Sequence, residues 1–223
     1  MIERDARTIQ LIGESAMERI RNTSILIVGI GGVGSYAAEA LARAGIGHIT
    51  LMDGDSVAES NLNRQLVALC STIGRNKAEV MAERIKDINP GADVAVIPEF
   101  YGRDGGCEVN LCDYDWVVDA IDDVDAKVKL IKTAVNSGTD IISAMGAAGK
   151  FETYFKTADL AETSVCPLAK VMRKRLRAEG IEHLPVVYSV EKPMPRDGEL
   201  GTMSYVPGAA GLEMAGYVIR SLI

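Results

Sequence analysis

The sequence lacks the features that mark several large classes of protein. Its four cysteines include no Cys-x-x-Cys pair and it has two histidines, so a zinc site is not expected. Acidic residues outnumber basic ones by 31 to 24, and the resulting net charge of −7 argues against binding nucleic acid over the whole surface. A local basic patch remains compatible with RNA binding.

Membrane-targeting segments are also missing. Near the N-terminus, no basic stretch followed by an apolar one resembles a signal peptide. The most apolar segment, Val206 to Ile223, contains Glu213 and Arg220 and is too short for a convincing transmembrane span. We therefore expect a cytoplasmic protein that does not bind membranes and whose cysteines are free thiols.

What the chain does have is an alternation of short apolar runs with amphipathic segments. Strands are predicted at 24–28, 49–52, 94–97, 116–119 and 141–143, and helices at 3–13, 15–21, 34–45, 77–88 and 125–136, with a glycine-rich turn at 101–106. After residue 150 the pattern changes, and strands are predicted at 151–157, 186–190 and 202–206, helices at 167–179 and 209–222, and a mobile loop at 192–201. The 223 residues thus predict a single α/β domain, with a Rossmann-like, doubly wound, mainly parallel sheet flanked by helices and with extra C-terminal strands and a C-terminal helix.

A glycine cluster after the first predicted strand is the most informative local motif. The apolar residues 25–28 run into Gly29, Gly31, Gly32 and Gly34, and an alanine-rich helix follows. In the dinucleotide fingerprint such glycines permit the turn, let the backbone approach a phosphate and let the helix pack on the strand. The motif predicts a phosphate-bearing nucleotide without deciding between NAD, a flavin and ATP.

Charged residues beyond the second predicted strand narrow that choice. Asp53 ends this strand about 20 residues past the glycines, where an acidic side chain can bind a ribose. The long polar connection 54–74 contains Arg64, and Lys77 begins the following helix. Two cations here suit a triphosphate, because charge develops on the departing pyrophosphate, although each residue also has an ordinary surface interpretation.

A group of carboxylates follows the fourth predicted strand. Asp122 is a candidate ligand for Mg²⁺ on the phosphates, because hard carboxylate oxygens suit that ion. Asp119, Asp123 and Asp125 lie beside it in the sequence, so spacing alone does not choose among them. One of these residues can instead cap the helix that follows.

The predicted helix 167–179 is strongly basic in an otherwise acidic chain. Apolar residues recur along it at helical spacing, so its charges are expected to face outward. The pattern allows either a solvated face or a surface that follows RNA phosphates. The cations are Lys170, Arg173, Lys174, Arg175 and Arg177.

Five segments of the first 123 residues form a combination more specific than any one of them. They are Gly29-Ile-Gly-Gly-Val-Gly34, Leu51-Met-Asp-Gly-Asp55, Ser60-Asn-Leu-Asn-Arg-Gln65, Gly74-Arg-Asn-Lys77 and Asp119-Ala-Ile-Asp-Asp123. Together they resemble the ubiquitin-activating-enzyme superfamily of the ThiF/MoeB type, whose members adenylate a carboxylate with ATP.

The resemblance implies a function for individual residues. Asp122 would hold magnesium, and Arg7, in the segment Arg7-Thr-Ile-Gln-Leu11, would reach the ATP of a neighbouring subunit. A homodimer is therefore implied. The ATP site would consist of the glycines around Gly32, of Asp53 at the ribose, and of Asn61, Arg64 and Lys77 at the triphosphate.

Three later segments, 166–177, 187–193 and 201–208, resemble one branch of the superfamily, which cyclises threonylcarbamoyladenosine in tRNA. This implies adenylation of the threonine carboxylate followed by ring closure. Residues 1–150 would form the nucleotide-binding core, and 151–223 the substrate-facing part of the same domain. The basic helix would then bind tRNA, and a sulfur-transfer protein is a further implied partner. Cys166 departs from relatives with an acidic residue at this place, which leaves open whether its thiol has a function.

Other functions remain open on the sequence alone. The protein can instead adenylate the C-terminus of a ubiquitin-like sulfur carrier, although the activators of such carriers typically hold zinc through Cys-x-x-Cys pairs. A nicotinamide-dependent oxidoreductase would explain the glycine motif and Asp53, but no hydride-transfer site is recognisable. A non-catalytic nucleotide sensor is disfavoured by the presence of Arg64, Lys77 and Asp122.

Overall fold

The computed structural model describes residues 3–102, 107, 109–198 and 200–223, so most of the turn predicted at 101–106 lies outside the described residues. The helices are α1 (Ala6–Ile12), α2 (Glu14–Asn22), α3 (Gly34–Ala44), α4 (Lys77–Ile88), α5 (Val124–Ser137), α6 (Pro167–Ala178) and α7 (Tyr205–Leu222). The strands are β1 (Ser24–Val28), β2 (His48–Met52), β3 (Asp93–Ile97), β4 (Trp116–Asp119), β5 (Asp140–Ala144), β6 (Lys156–Asp159) and β7 (Pro185–Tyr188).

The seven strands form one sheet in the order β3-β2-β1-β4-β5-β7-β6. All neighbours pair in parallel except β6, which runs antiparallel to β7. The doubly wound, mainly parallel sheet is therefore confirmed. Its strand order changes direction between β1 and β4, and open α/β sheets bind ligands outside the carboxyl ends of the strands at such a point.

The two faces of the sheet pack against different helices. In β1, Ile25 and Ile27 join a hydrophobic cluster with α3, α4 and α7, whereas Leu26 and Val28 join a second cluster with α5 and α6. Burial on both faces explains why the central strands are continuous apolar runs rather than alternating ones.

Helix α7 closes one face of the domain by packing closely along α3. A Cβ atom on Gly211 would lie 2.3 Å from the carbonyl oxygen of Val33, so only glycine permits this approach. Further along α7, Tyr217 meets Trp116 edge-on, with ring centroids 5.9 Å apart and an interplanar angle of 83°. Among the described residues, no helix has both the length and the apolarity needed to cross a bilayer.

The C-terminal third differs from its sequence prediction in two places. The strand predicted at 151–157 begins only at Lys156, and the strand predicted at 202–206 is wrong, because α7 already begins at Tyr205. Backbone hydrogen bonds here join two irregular segments instead of extending the sheet. Gly149 donates to the carbonyl of Gly201 and accepts from Met194, both at 2.7 Å.

Candidate nucleotide-binding site

A cleft of about 690 Å³ opens at the carboxyl ends of β1, β2, β4 and β5. This is the edge of the sheet at which its strand order changes direction. Among the residues predicted from the sequence, those that line the cleft are Gly29, Gly31, Gly32, Asp53, Arg64, Lys77 and Asp122. The structure does not place Arg7, Gly34, Asn61 or the five cations of the basic helix in this wall.

The glycine turn between β1 and α3 leaves no room for side chains at two positions. Gly29 has a φ of +89°, and a Cβ atom there would lie 2.7 Å from the carbonyl oxygen of Ala120. A Cβ atom on Gly34 would lie 1.8 Å from the oxygen of Gly29, so this residue packs the helix against the turn. Gly31 and Gly32 line the cleft, and their N–H groups donate to no other described residue, which leaves them available to an anion.

Asp53, at the end of β2, braces the glycine turn. One carboxylate oxygen accepts a hydrogen bond from the N–H of Ile30 at 2.6 Å, and the other accepts from the N–H of Asp55 at 2.8 Å. Burial raises the pKa of Asp53 above its ordinary value, although these two hydrogen bonds and the nearby Lys77 oppose the shift. Each oxygen keeps a second lone pair, so the carboxylate can still accept a hydrogen bond from a ribose hydroxyl.

Lys77 owes its position to the start of α4. Asn76 caps the helix by accepting hydrogen bonds from the backbone of the first turn, and its amide donates to the carbonyl of Asp53 at 2.9 Å. The Nζ of Lys77 then lies 3.0 Å from the carboxylate of Asp55, and its side chain is only 8% exposed. The helix cap thus holds a nearly buried cation against the end of β2.

Arg64 is held by the loop that carries it. One terminal nitrogen donates to the carbonyl of Ser60 and to the side chain of Asn63, both at 2.9 Å, while its other nitrogens have no partner among the described residues. The amide of Asn63 donates to the carbonyl of Thr202 at 3.1 Å. This bond joins the Arg64 loop to the segment that leads into α7.

Asn63 and Gln65 line the cleft, whereas Asn61, which was expected to contact the triphosphate, does not. The side chain of Asn61 is buried and accepts from the N–H of Ala58 at 3.1 Å, so it stabilises the loop and does not reach the cleft. Asn63 and Gln65 line the cleft in its place. The Oε1 atom of Gln65 is buried there and has no hydrogen-bond partner among the residues that the structure describes. Both residues belong to the predicted motif, but loop geometry decides which side chains point inward.

The carboxylates after β4 have separate functions. Asp119 is fully buried and pairs with the equally buried Lys127 at 2.9 Å. Asp123 caps α5 by accepting from the backbone at its start, and Asp125 pairs with Arg175 at 2.6 Å. Asp122 is exposed in the cleft and has no hydrogen bond or ion pair among the described residues. Among the four, it is therefore the carboxylate available to a cation.

The far side of the cleft is formed by loops from the part of the chain expected to face the substrate, together with the loop after β5, which the sequence did not single out. They follow β5, precede α6 and precede α7. Lys150 and Cys166, which are 3% and 2% exposed, line this side. The only sequence signal for Lys150 was its place after a glycine-rich stretch that follows a parallel strand.

Arg7 lies on the exposed face of α1, outside the cleft, and has no partner among the described residues. The segment that carries it is anchored by the buried carboxylate of Asp5, which pairs with Arg4 at 2.9 Å and with Arg21 at 2.8 Å. The pKa of Asp5 is lowered, because these hydrogen bonds outweigh the opposing effect of burial. Arg7 therefore projects from a fixed segment without contributing to this cleft.

The cations of α6 fall into two groups. Arg173 donates to the carbonyl of Thr163 at 2.9 Å, and Arg175 forms the ion pair with Asp125, so both are engaged within the protein. Three others are exposed, have no partner among the described residues and occur at i, i+4 and i+7 on one helical face. We call this face the basic stripe; it consists of Lys170, Lys174 and Arg177.

Comparison with known proteins defines the class to which this fold and cleft belong. The chain belongs to the ThiF family, whose family model matches residues 3–223. It is 38% identical to the tRNA threonylcarbamoyladenosine dehydratase of Bacillus subtilis over 243 aligned residues, which cover 100% of this chain and 96% of the relative. Crystal structures of the Escherichia coli tRNA N6-threonylcarbamoyladenosine dehydratase, TcdA, in complex with AMP and with ATP both superimpose with a TM-score of 0.90 at 37% identity. Each comparison covers 99% of this chain, and 94% and 93% of the two TcdA chains respectively.

Proposed function

We propose that this protein uses ATP to convert threonylcarbamoyladenosine in tRNA to its cyclic form. The observation that carries the proposal is a single cleft that combines a glycine turn, two cations and a free carboxylate, in a chain similar over its full length to named dehydratases of this kind. The reaction has two parts, activation of a carboxylate and ring closure, and the cleft has groups suited to the first.

ATP fits the strand-end side of the cleft. The N–H groups of Gly31 and Gly32 and the cations Arg64 and Lys77 would bind the phosphates, and Asp53 would bind the ribose. Arg64 has free N–H groups in a planar fork, which suits phosphate oxygens, whereas Lys77 provides a point charge. Fixed cations stabilise charge that develops on departing pyrophosphate.

Magnesium would bind Asp122. In nucleotide sites Mg²⁺ commonly takes one or two carboxylates together with phosphate oxygens and water. No three His, Cys, Asp or Glu side chains come together as a metal site in the part of the chain that the structure describes. The exposed carboxylate of Asp122 fits an ion held mainly by ATP, and the ion would neutralise charge on the phosphates.

The chemistry follows from the substrate. An oxygen of the threonine carboxylate attacks the α-phosphate of ATP, pyrophosphate leaves, and an acyl-adenylate forms. The carbamoyl group of the same nucleoside then attacks the activated carbonyl carbon, loses a proton and displaces AMP. Because both groups belong to one molecule, ring closure benefits from a high effective molarity and requires no protein nucleophile. Exclusion of water matters more, since the adenylate hydrolyses.

Two partners belong to this proposal. The basic stripe would follow tRNA phosphates, because its three cations are exposed and none has a partner in the described part of the chain. A second copy of the chain would supply Arg7 to the ATP of its neighbour. Mixed dimers of Arg7→Ala and Lys77→Ala subunits, each inactive alone, should regain part of the activity, because one of the two sites would then have both residues intact. Absence of rescue despite demonstrated subunit exchange would exclude a shared site.

The decisive experiment is incubation of the protein with ATP, Mg²⁺ and tRNA that does or does not carry threonylcarbamoyladenosine, followed by mass analysis of nucleosides. We expect loss of one water from the modified nucleoside, with formation of AMP. ATP–pyrophosphate exchange that requires a small protein with a Gly-Gly terminus, and not the modified tRNA, would instead identify a sulfur-carrier activator.

A further inference from the structure

Lys150 is a buried cation that is not among the residues proposed to bind ATP. Its Nζ donates one hydrogen bond, to the carbonyl of Glu191 at 2.7 Å, and it forms no ion pair among the described residues. The carboxylate of Glu191 is turned to other partners, the backbone N–H groups of Phe151 and Glu152 at 3.0 and 2.9 Å. An ammonium group has three N–H donors, so Lys150 is left with capacity for another acceptor.

A buried ammonium without a counter-ion is costly, and a protein normally neutralises or pairs it. Burial accordingly lowers the pKa of Lys150 from its ordinary value, although Cys166 and the nearby carboxylate of Glu191, which does not form an ion pair with it, oppose the shift. Because Lys150 lines the cleft, the missing negative charge can come from a ligand. The ligand group that would best complete this site is therefore an anion with oxygen acceptors.

The surroundings of Lys150 distinguish that anion from the triphosphate. Lys150 lies on the loop after β5, on the side of the cleft that includes Cys166, Pro167 and Leu168 at the start of α6, whereas the glycine turn and Lys77 are on the strand-end side. The start of a 12-residue helix adds a partial positive charge, and no carboxylate of a described residue forms an ion pair with Lys150. The loop side of the cleft thus favours a second anionic group that does not belong to the nucleotide.

We propose that Lys150 binds the carboxylate of the substrate and holds it for attack on the α-phosphate of ATP. This inference rests on the proposed function and assigns the part of the cleft that receives the acyl group. Adenylation removes the negative charge from the carboxyl group, so the attraction to Lys150 is present before activation and absent after it. Lys150 is then a substrate-binding residue that acts on the reactant carboxylate.

The test uses an RNA hairpin that carries threonylcarbamoyladenosine with either a free carboxylate or its methyl ester. Binding is measured for the full-length protein in the presence of a non-hydrolysable ATP analogue and Mg²⁺. The wild-type protein should bind the acid about 10- to 100-fold more tightly than the ester, as expected for a charge-assisted hydrogen bond in a buried site. Lys150→Met should bind both hairpins with the affinity of the ester.

Three controls separate loss of charge from damage to the fold. Lys150→Arg keeps the charge and should retain part of the preference for the acid. Lys192→Gln removes an exposed cation from the neighbouring loop, outside the cleft wall, and should leave the preference unchanged. Affinity for the ATP analogue alone should be the same in Lys150→Met and in the wild type, because the nucleotide is bound on the other side of the cleft.

Each alternative result has a defined meaning. Equal binding of acid and ester by the wild type, or an acid preference that survives in Lys150→Met, would overturn the assignment of Lys150. Loss of ATP-analogue affinity in Lys150→Met would assign the residue to the nucleotide and also overturn it. If the wild type does not distinguish modified from unmodified hairpins and forms no cyclic nucleoside, the proposed function itself fails, and the Lys150 assignment fails with it.

Discussion

The two sides of the cleft hold their charges in different ways. On the strand-end side, Asp53 accepts two backbone hydrogen bonds and Lys77 pairs with Asp55, so the buried charges are fixed before any ligand arrives. On the loop side, Lys150 is equally buried, but among the described residues its one hydrogen bond goes to a carbonyl oxygen and it forms no ion pair. Fixed charges suit a ligand that stays highly charged, as ATP does. A cation that is not neutralised suits a group whose charge disappears during the reaction.

The largest effect should come from the strand-end side. If Lys77 lies at the departing pyrophosphate as proposed, Lys77→Met removes a preorganised cation there, and we expect adenylation to slow by about 10²- to 10³-fold. Single-turnover formation of AMP with saturating ATP measures this step. Asp55→Asn is the matched control, because it removes the partner of Lys77 and keeps the cation. A rate for Lys77→Met within a few fold of the wild-type rate would show that this side is not where the phosphates bind.

Asp122 and Asp123 offer a second contrast between adjacent residues. If Asp122 holds the ion as proposed, Asp122→Asn should raise the Mg²⁺ concentration needed for half-maximal activity by about tenfold or more, because it removes a carboxylate ligand. Asp123→Ala should instead lower the free energy of unfolding by about 1 kcal/mol, because it removes the cap of α5. Magnesium titrations and urea denaturation of both variants check the pair. The reverse result would place the ion at Asp123.

The basic stripe and the engaged arginines of α6 should respond differently to neutralisation. Replacing Lys170, Lys174 and Arg177 by glutamine should weaken tRNA binding and reduce the slope of log affinity against log salt by about two to three units. Arg173→Gln should lower stability, since this side chain satisfies the carbonyl of Thr163, with little effect on the slope. Titrations of tRNA at several salt concentrations measure the affinity and the slope for each variant. If the triple variant has the wild-type slope, the stripe is only a solvated face.

The smallest effect is the pH dependence of stability that arises from Lys150. Burial lowers its pKa in the folded protein, so the folded state loses this proton at a lower pH than the unfolded chain. Stability attributable to Lys150 should therefore rise as the pH increases from the folded pKa towards the unfolded one. Urea denaturation of the wild type and Lys150→Met at neutral to alkaline pH should show their difference shifting in favour of the wild type. Parallel curves would mean that Lys150 is not desolvated in the folded protein.

Local patterns were sufficient for the elements that position the strand-end side. Continuous apolar runs predicted β1 and β4, and the glycine spacing predicted the turn, because both depend on residues adjacent in the sequence. The role of Asp122 was not decidable from spacing. The structure distinguishes it from its neighbours only through the ion pair of Asp119 with Lys127 and the cap formed by Asp123, which depend on how the chain leaves β4.

The structure of the loop side could not be predicted from the sequence, because it also depends on contacts between distant parts of the chain. The segment 202–206 has the composition of a strand, but its surroundings direct it into the start of α7. Lys150 acquires its environment from residues 166 and 191, and Arg173 is engaged by a carbonyl ten residues earlier in the chain. Contacts of this kind are set by tertiary packing and leave no periodic signal in the sequence.

The edge-on contact between Trp116 and Tyr217 gives the molecule a built-in optical reporter. Trp116 is the only tryptophan in the chain, and it begins the strand whose opposite end, Asp119, lies at the cleft edge of the sheet. Its fluorescence should therefore change when α7 separates from the sheet and remain nearly constant when ATP binds. Undocking of the C-terminal helix can thus be followed in real time without a label and without interference from the nucleotide.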